Sequence, residues 1–278
     1  MSDKDDVTYR GKGQSGRLGR QHEAAGGPLG IFGEEAQKHD RSIRIVSELL
    51  FKSLSTAFPK LQFRHRTTVY KSEIHQKLRT IDERLGKTIF VTNSSIQPDG
   101  GIIEVQDKYG NWRVVVVGES KHQGNDIEKI KAGIKQGKNK DADFMVAGNA
   151  IERMHKNISE IQNYMLDEVH FPYVVFLQGS NFATKSFDIV ALDGRQIHVK
   201  HDAGSLNRID RVTAANYGMD INQNSCRNID VQTKCGIRSL QVTSLFCQCD
   251  SWTNEQMLQV LTEVANTSLD ILSDDLDH

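Results

Sequence analysis

The stretch PDGGIIEVQDKYGNWRVVVVGESKHQ, residues 98–123, holds three residues whose types and spacing could do chemistry: Asp99 at one end, Glu119 and Lys121 at the other. Two carboxylates and an amine can hold a divalent ion against a phosphate. The carboxylates take the ion; the amine orients or deprotonates a water, or grips the phosphoryl oxygens. GIIEV alternates and RVVVV is a nearly continuous apolar run, so the two read as neighbouring antiparallel strands, the second an inner one. A turn centred on Tyr109 sets Asp99 opposite Glu119, Ile103 opposite Val115 and Gly101 opposite Val117. Facing residues have Cβ atoms about 5 Å apart, close enough to share one Mg²⁺ with Mg–O distances of about 2.0–2.1 Å. Strand alternation also puts Glu119 and Lys121 on one face. A one-residue bulge would undo the facing of Asp99 and Glu119. The plainer account is that charged residues commonly end strands and face water, but opposed carboxylates are unfavourable unless a cation lies between them.

A second candidate stretch is MVAGNAIERMHKN, residues 145–157. A helix starting near Asn149 places Asn149, Glu152 and Arg153 at i, i+3 and i+4 on one face, opposite Ile151, Met154 and Ile158. Asn pairs bidentately with adenine, Glu accepts from exocyclic amino groups and Arg pairs with guanine, a set suited to reading a major groove. The competing account is a solvated helix face with an internal ion pair.

The elements that must position these groups follow from periodicity. Ile43, Val46, Leu49, Leu50 and Leu54 recur at helical spacing and predict a core-facing helix over 34–57; LQFRHRTTVYKSEI reads as a short strand pattern. Short helices are expected over 126–133 and in LNRIDRVTAANYG, ending at Gly218, and a longer one over 149–166. PYVVFLQG reads as a buried strand, and FDIVALDGRQIHVK as a hairpin turned at Asp193-Gly194. Thr253 and Gln256 form a capping-box pair opening a last helix through Leu272. No repeat or linker divides the chain, so one mixed α/β domain with a central sheet is expected over 31–278, preceded by a flexible Gly-rich basic arm over 1–30.

The 278 residues are 37% hydrophobic, enough for a sizeable core, and their charges cancel to a formal −1, which by itself points to no polyanionic partner. No run is long and apolar enough to cross a bilayer and no secretory signal is visible, so a cytoplasmic protein is expected. Cys226, Cys235, Cys247 and Cys249 form no C-x-x-C pair, and reduced thiols are the expectation.

The stretches GIFGEEAQKHD, NSSIQPDGGIIEV, GNWRVVVVGESKHQG, AGNAIERMHKNISEI, HFPYVVFLQGSNF and LNRIDRVTAANYGM occur in that order across most of 30–220. Together they resemble the PD-(D/E)xK nucleases and, within them, the type II restriction endonucleases of the EcoRI kind. The resemblance implies a central five-stranded mixed sheet flanked by helices, a homodimer, and Mg²⁺-dependent cleavage of double-stranded DNA within the palindrome GAATTC. Cleavage would leave 5′-phosphate ends, as part of a restriction system. By motif position it makes Asp99 and Glu119 metal ligands, helped by the Ser120 backbone carbonyl, and Lys121 the catalytic lysine. Met145, Ala147, Asn149 and Ala150 would lie in an extended run in the major groove. Asn149, Glu152 and Arg153 would contact bases or bridge subunits, with Gln123, Arg208 and Arg211 in support; Arg64, Arg66, His122 and Lys156 are phosphate candidates. Two departures stand out: Gln97 where the EcoRI pattern has a lysine, and Ser120 where it has an alanine. Rival readings are a structure-specific repair or junction nuclease of the same superfamily, and a DNA-binding regulator whose carboxylates are structural.

Overall fold

The computed structural model describes residues 34–87, 94–122, 149–179, 186–199 and 226–276, with Gly124, Ile127, Lys131 and Phe182 between them. The chain divides into two units, Met1–Lys38 and His39–His278; of the first, only the opening residues of one helix are described. The arm expected over 1–30 and the short helices expected near 126–133 and 206–218 lie outside the described residues, isolated positions aside.

Helix α1 (Glu34–Ala57) leads into strands β1 (Phe63–Arg66) and β2 (Val69–Tyr70), helix α2 (Lys71–Ile81) and strand β3 (Ser95–Ile96). The hairpin β4 (Gly101–Gln106) and β5 (Trp112–His122) follows, then helix α3 (Asn149–Tyr164) and strands β6 (Tyr173–Gln178), β7 (Phe187–Val190) and β8 (Gln196–Val199). Strands β9 (Ile229–Thr233), β10 (Gly236–Leu240) and β11 (Ser244–Gln248) precede helix α4 (Asn254–Leu272). The α/β expectation holds: the main sheet runs β1-β4-β5-β6-β11 and is mixed, antiparallel through β1, β4 and β5 and parallel through β5, β6 and β11. Helix α2 and strands β3, β9, β10 and β11 were not foreseen. LQFRHRTTVYKSEI splits into two strands and the start of α2, where Leu78 and Ile74 give the apolar side.

The sheet carries helices on both faces. Ile43, Val46 and Leu50 of α1 and Met257, Leu261 and Val264 of α4 pack with Val115, Val116, Val174 and Phe176. On the other face Ile151, Met154, Ile158 and Ile161 of α3 pack with Ile102, Val114, Val117, Val175 and Leu177. Burying Val-rich strands on both sides explains why RVVVV shows no alternation. Thr253 caps α4 by accepting from the Gln256 backbone N–H while the Gln256 side chain returns to Thr253, as the capping box predicts.

The hairpin departs from the expected register. Its partners step from Glu104↔Val114 to Ile103↔Val116, leaving Val115 as an extra residue, a β-bulge. Gly101 therefore pairs with Gly118 and Ile103 with Val116 rather than with Val117 and Val115. Asp99 does not face Glu119 in the ladder. It lies in a turn before β4, where the Gly100 N–H donates to Gly118 O and the Gly101 N–H to Pro98 O. The two glycines make that turn possible: a Cβ at Gly100 would lie 2.7 Å from Ser47 Oγ of α1, and Gly101 has φ +76°. The bulge also sets the faces. Val114 and Val117 share the α3-side core while Val115 and Val116 both join the α1 side, so beyond the bulge the odd-numbered residues, Glu119 and Lys121 among them, turn toward α3.

Candidate active site

At the end of β5 the three charges meet despite the changed register. Lys121 Nζ lies 2.5 Å from Asp99 Oδ2 and 2.5 Å from Glu119 Oε1, and donates to Ser120 O at 2.9 Å. The Ser120 backbone N–H donates to Asp99 Oδ2 at 3.2 Å, tying the turn to the strand. Both carboxylates thus touch one ammonium, so they are near enough to share an ion. Glu119 has no exposed side-chain surface, whereas Asp99 and Lys121 keep 20% and 16%, so solvent touches the cluster at those two side chains.

Glu119 is also held by Asn157 Nδ2, which donates to both carboxylate oxygens at 3.1 and 3.2 Å, and by Tyr173 Oη at 3.1 Å. Burial pushes its carboxyl up to about 7; Lys121 pulls the other way and Asp99 pushes further up. Burial also works against the Lys121 ammonium, but Glu119 and Asp99 outweigh it and hold the amine firmly protonated. Burial and then the Glu119 charge keep the Tyr173 hydroxyl protonated, hence a donor. On the α1 side, Asp40 Oδ1 lies 3.5 Å from Ser120 Oγ, the outer limit for such a bond. Burial and the Asp99 charge push Asp40 up to about 6, although its exposure lets water screen part of that. Its neighbour His39 is buried and pushed down to about 4 by burial.

Two carboxylates and a backbone carbonyl, all oxygen donors, match what Mg²⁺ takes from a protein when substrate and water supply the rest. Among the described residues no group of three His, Cys, Asp or Glu could hold a metal, so nothing there competes as a cage for a softer ion. Asp99, Glu119 and the Ser120 carbonyl are the groups that fit.

The other candidate residues fall into three sets. Asn149 and Ala150 open α3 and their side chains are not described, whereas Glu152 and Arg153 are exposed on its first turns, with Ile151 and Met154 buried beneath them. Met145, Ala147, Gln123, Arg208 and Arg211 lie outside the described residues. Of the phosphate candidates, Arg66 is committed internally: it bonds Glu104 at 2.8 Å, Glu73 at 2.6 Å and Tyr164 Oη at 3.1 Å. Arg64 bonds Glu104 at 2.6 Å and lies over the Trp112 ring. His122 Nδ1 meets Gln178 Nε2 at 3.0 Å, and Lys156 is exposed on α3. Sequence reasoning missed Asn157, Tyr173, Asp40 and His39. Asn157 left one clue, an amide immediately before the apolar Ile158, and Tyr173 another, a hydroxyl on a fully buried strand that needs a partner.

An acidic turn and a Glu-x-Lys strand end meeting on a mixed sheet define a nuclease of the PD-(D/E)xK class. The family model for restriction endonuclease EcoRI matches residues 25–278. The type II restriction enzyme RsrI of Cereibacter sphaeroides is 58% identical over 98% of this chain and 99% of its own length. The type II restriction enzyme EcoRI of Escherichia coli is 51% identical over 95% of this chain and 96% of its own. The chain belongs to the EcoRI family of restriction endonucleases.

Proposed function

We propose that this chain cuts double-stranded DNA within GAATTC by Mg²⁺-dependent phosphodiester hydrolysis, leaving 5′-phosphate ends, as the cytoplasmic nuclease of a restriction–modification system. The observation that carries the reading is the convergence of Asp99 and Glu119 on Lys121. Two carboxylates converge on one ammonium and burial pushes Glu119 toward taking a proton, so a divalent cation is the partner that lets both carboxylates stay charged.

Asp99, Glu119 and the Ser120 carbonyl would hold the ion, which when bound makes a water nucleophilic and offsets charge building on the phosphate. Lys121, beside both carboxylates, would hold a phosphoryl oxygen or orient or deprotonate the attacking water. Asp99, partly exposed, gives the phosphate its approach. The site sequence rests on the resemblance and on family membership. Exposed Glu152 and Arg153 support base reading, the first by accepting from an exocyclic amino group, the second by donating to guanine. A palindrome read by such residues calls for two-fold symmetry, hence a homodimer.

The test is digestion of two plasmids, one carrying a single GAATTC and one lacking it, in Mg²⁺ and in EDTA, with the ends sequenced. A linear product with 5′-phosphate ends, only from the first plasmid and only with Mg²⁺, is expected. Preferential cutting of branched duplexes would favour a structure-specific nuclease, and intact DNA throughout would favour a regulator.

A further inference from the structure

Asn157 does two things in this fold. It sits on α3, one turn beyond Arg153 and so on the same side of the helix, and its amide N–H group donates to both oxygens of Glu119. Glu119 is otherwise held by Tyr173 from β6 and by Lys121 from its own strand. Its carboxylate orientation is therefore set from three elements, of which only α3 also carries exposed Glu152 and Arg153.

The residue type matters. An amide orients a carboxylate without cancelling its charge, whereas a guanidinium there would saturate it and leave nothing for a cation. Met154, Ile158 and Ile161 are fully buried against the sheet, so α3 moves as a packed body rather than by bending at Asn157. A bifurcated contact of 3.1 and 3.2 Å tolerates little displacement: a slide of about 1 Å takes both bonds beyond useful length.

We propose that Asn157 is a positioning residue that ties the metal-binding geometry of Glu119 to the seating of α3, so that a correct duplex is distinguished at the cutting step as well as at binding. The inference rests on the proposed function, since it presumes that Glu119 takes a cation and that α3 meets DNA. A duplex that seats α3 leaves Glu119 aimed at the ion. One that displaces α3 turns the carboxylate away through Asn157, and the ion is held less well.

The experiment uses the full chain and Asn157→Ala. DNA affinity is measured by fluorescence anisotropy without divalent ion and across a Ca²⁺ titration, which reads ion binding without turnover; single-turnover cutting is measured on GAATTC and on a duplex with one base pair changed. The expected result is ion-free affinity within about threefold of the unchanged chain, with a Ca²⁺ midpoint raised about 10–100-fold, the usual cost of losing a group that orients a metal ligand. The ratio of cutting rates on the two duplexes should fall about tenfold while the ratio of affinities stays put. A Ca²⁺ midpoint within twofold of the unchanged chain, or an unaltered cutting ratio, overturns the inference. If circular dichroism shows Asn157→Ala unfolded, Tyr173→Phe and Asn157→Asp decide. The first removes one hydroxyl from Glu119 and should raise the Ca²⁺ midpoint about 3–10-fold with α3 coupling kept; the second removes the donor that orients Glu119 and adds a third carboxylate beside it, which should lower the Ca²⁺ midpoint by drawing the cation while the ratio of cutting rates still falls about tenfold. Unchanged Ca²⁺ midpoints in both overturn it. A failure of the unchanged chain to respond to any divalent ion sinks the function itself, and is told apart by occurring before any substitution.

Discussion

The main sheet buries two glutamates completely, Glu104 on β4 and Glu119 on β5, and surrounds them to different ends. Glu104 meets two guanidinium groups, Arg64 at 2.6 Å and Arg66 at 2.8 Å, and the Tyr164 hydroxyl at 3.2 Å; Glu73 takes the surplus charge of Arg66. Glu119 meets a tyrosine hydroxyl too, but its single ammonium is shared with Asp99 and its other donor is a neutral amide. The first network closes its charge and carries structure. The second sets two carboxylates on one ammonium, where burial, opposed by Lys121 and aided by Asp99, pushes Glu119 up to about 7, and it is where a cation belongs. Burial of a carboxylate does not separate a site from a strut; the balance of its partners does.

The largest expected effect tests the open cluster. Asp99→Ala or Glu119→Ala should slow cutting by about 10⁴-fold or more, over 5 kcal/mol of barrier, with affinity for GAATTC duplex kept, as measured by single-turnover rates beside anisotropy. Turnover undiminished in Asp99→Ala would contradict the metal assignment. Next, Glu104→Ala should lower unfolding stability by about 3–5 kcal/mol, because it strands two guanidinium groups, while the cutting rate per folded molecule persists. Arg66→Ala should cost about 1–3 kcal/mol in the same denaturant assay and leave the salt dependence of DNA binding unchanged; a slope shallower by about 1 would restore Arg66 to the phosphate contacts.

The smallest effect is a pH dependence. His39, pushed down to about 4, is neutral in the fold, so its contribution is full above its ordinary 6.5 and is lost as pH falls toward 4. Relative to the unchanged chain, His39→Gln should gain roughly 0.7 kcal/mol of stability between pH 7 and pH 6, read from urea midpoints. An equal change in both chains would remove burial of His39 as a source of acid lability. Asp40, raised by the same surroundings, works in the opposite direction and is common to both chains.

Much of this was legible in residue types and periods. The core helices α1, α3 and α4, the hairpin β4–β5 and the buried strand β6 follow from apolar spacing, and Glu119 with Lys121 on one face follows from the two-residue period of a strand. The partners of Glu119 were not legible, because Asn157 is 38 and Tyr173 54 positions away along the chain and no local pattern links them to it. Nor was the internal commitment of Arg66, which depends on Glu104 emerging beside it on β4.

The sequence by itself determined which residues could do the chemistry and that two of them share a strand face, since composition and period are properties of the chain alone. The tertiary structure decided which face. One extra residue, Val115, moves Asp99 out of register with Glu119 and turns Glu119 and Lys121 toward α3. The Gly100-Gly101 turn, pressed under α1, then brings Asp99 back to the same ammonium. A bulge is fixed by packing on both sides of a sheet at once, and that balance is struck between segments distant in the chain.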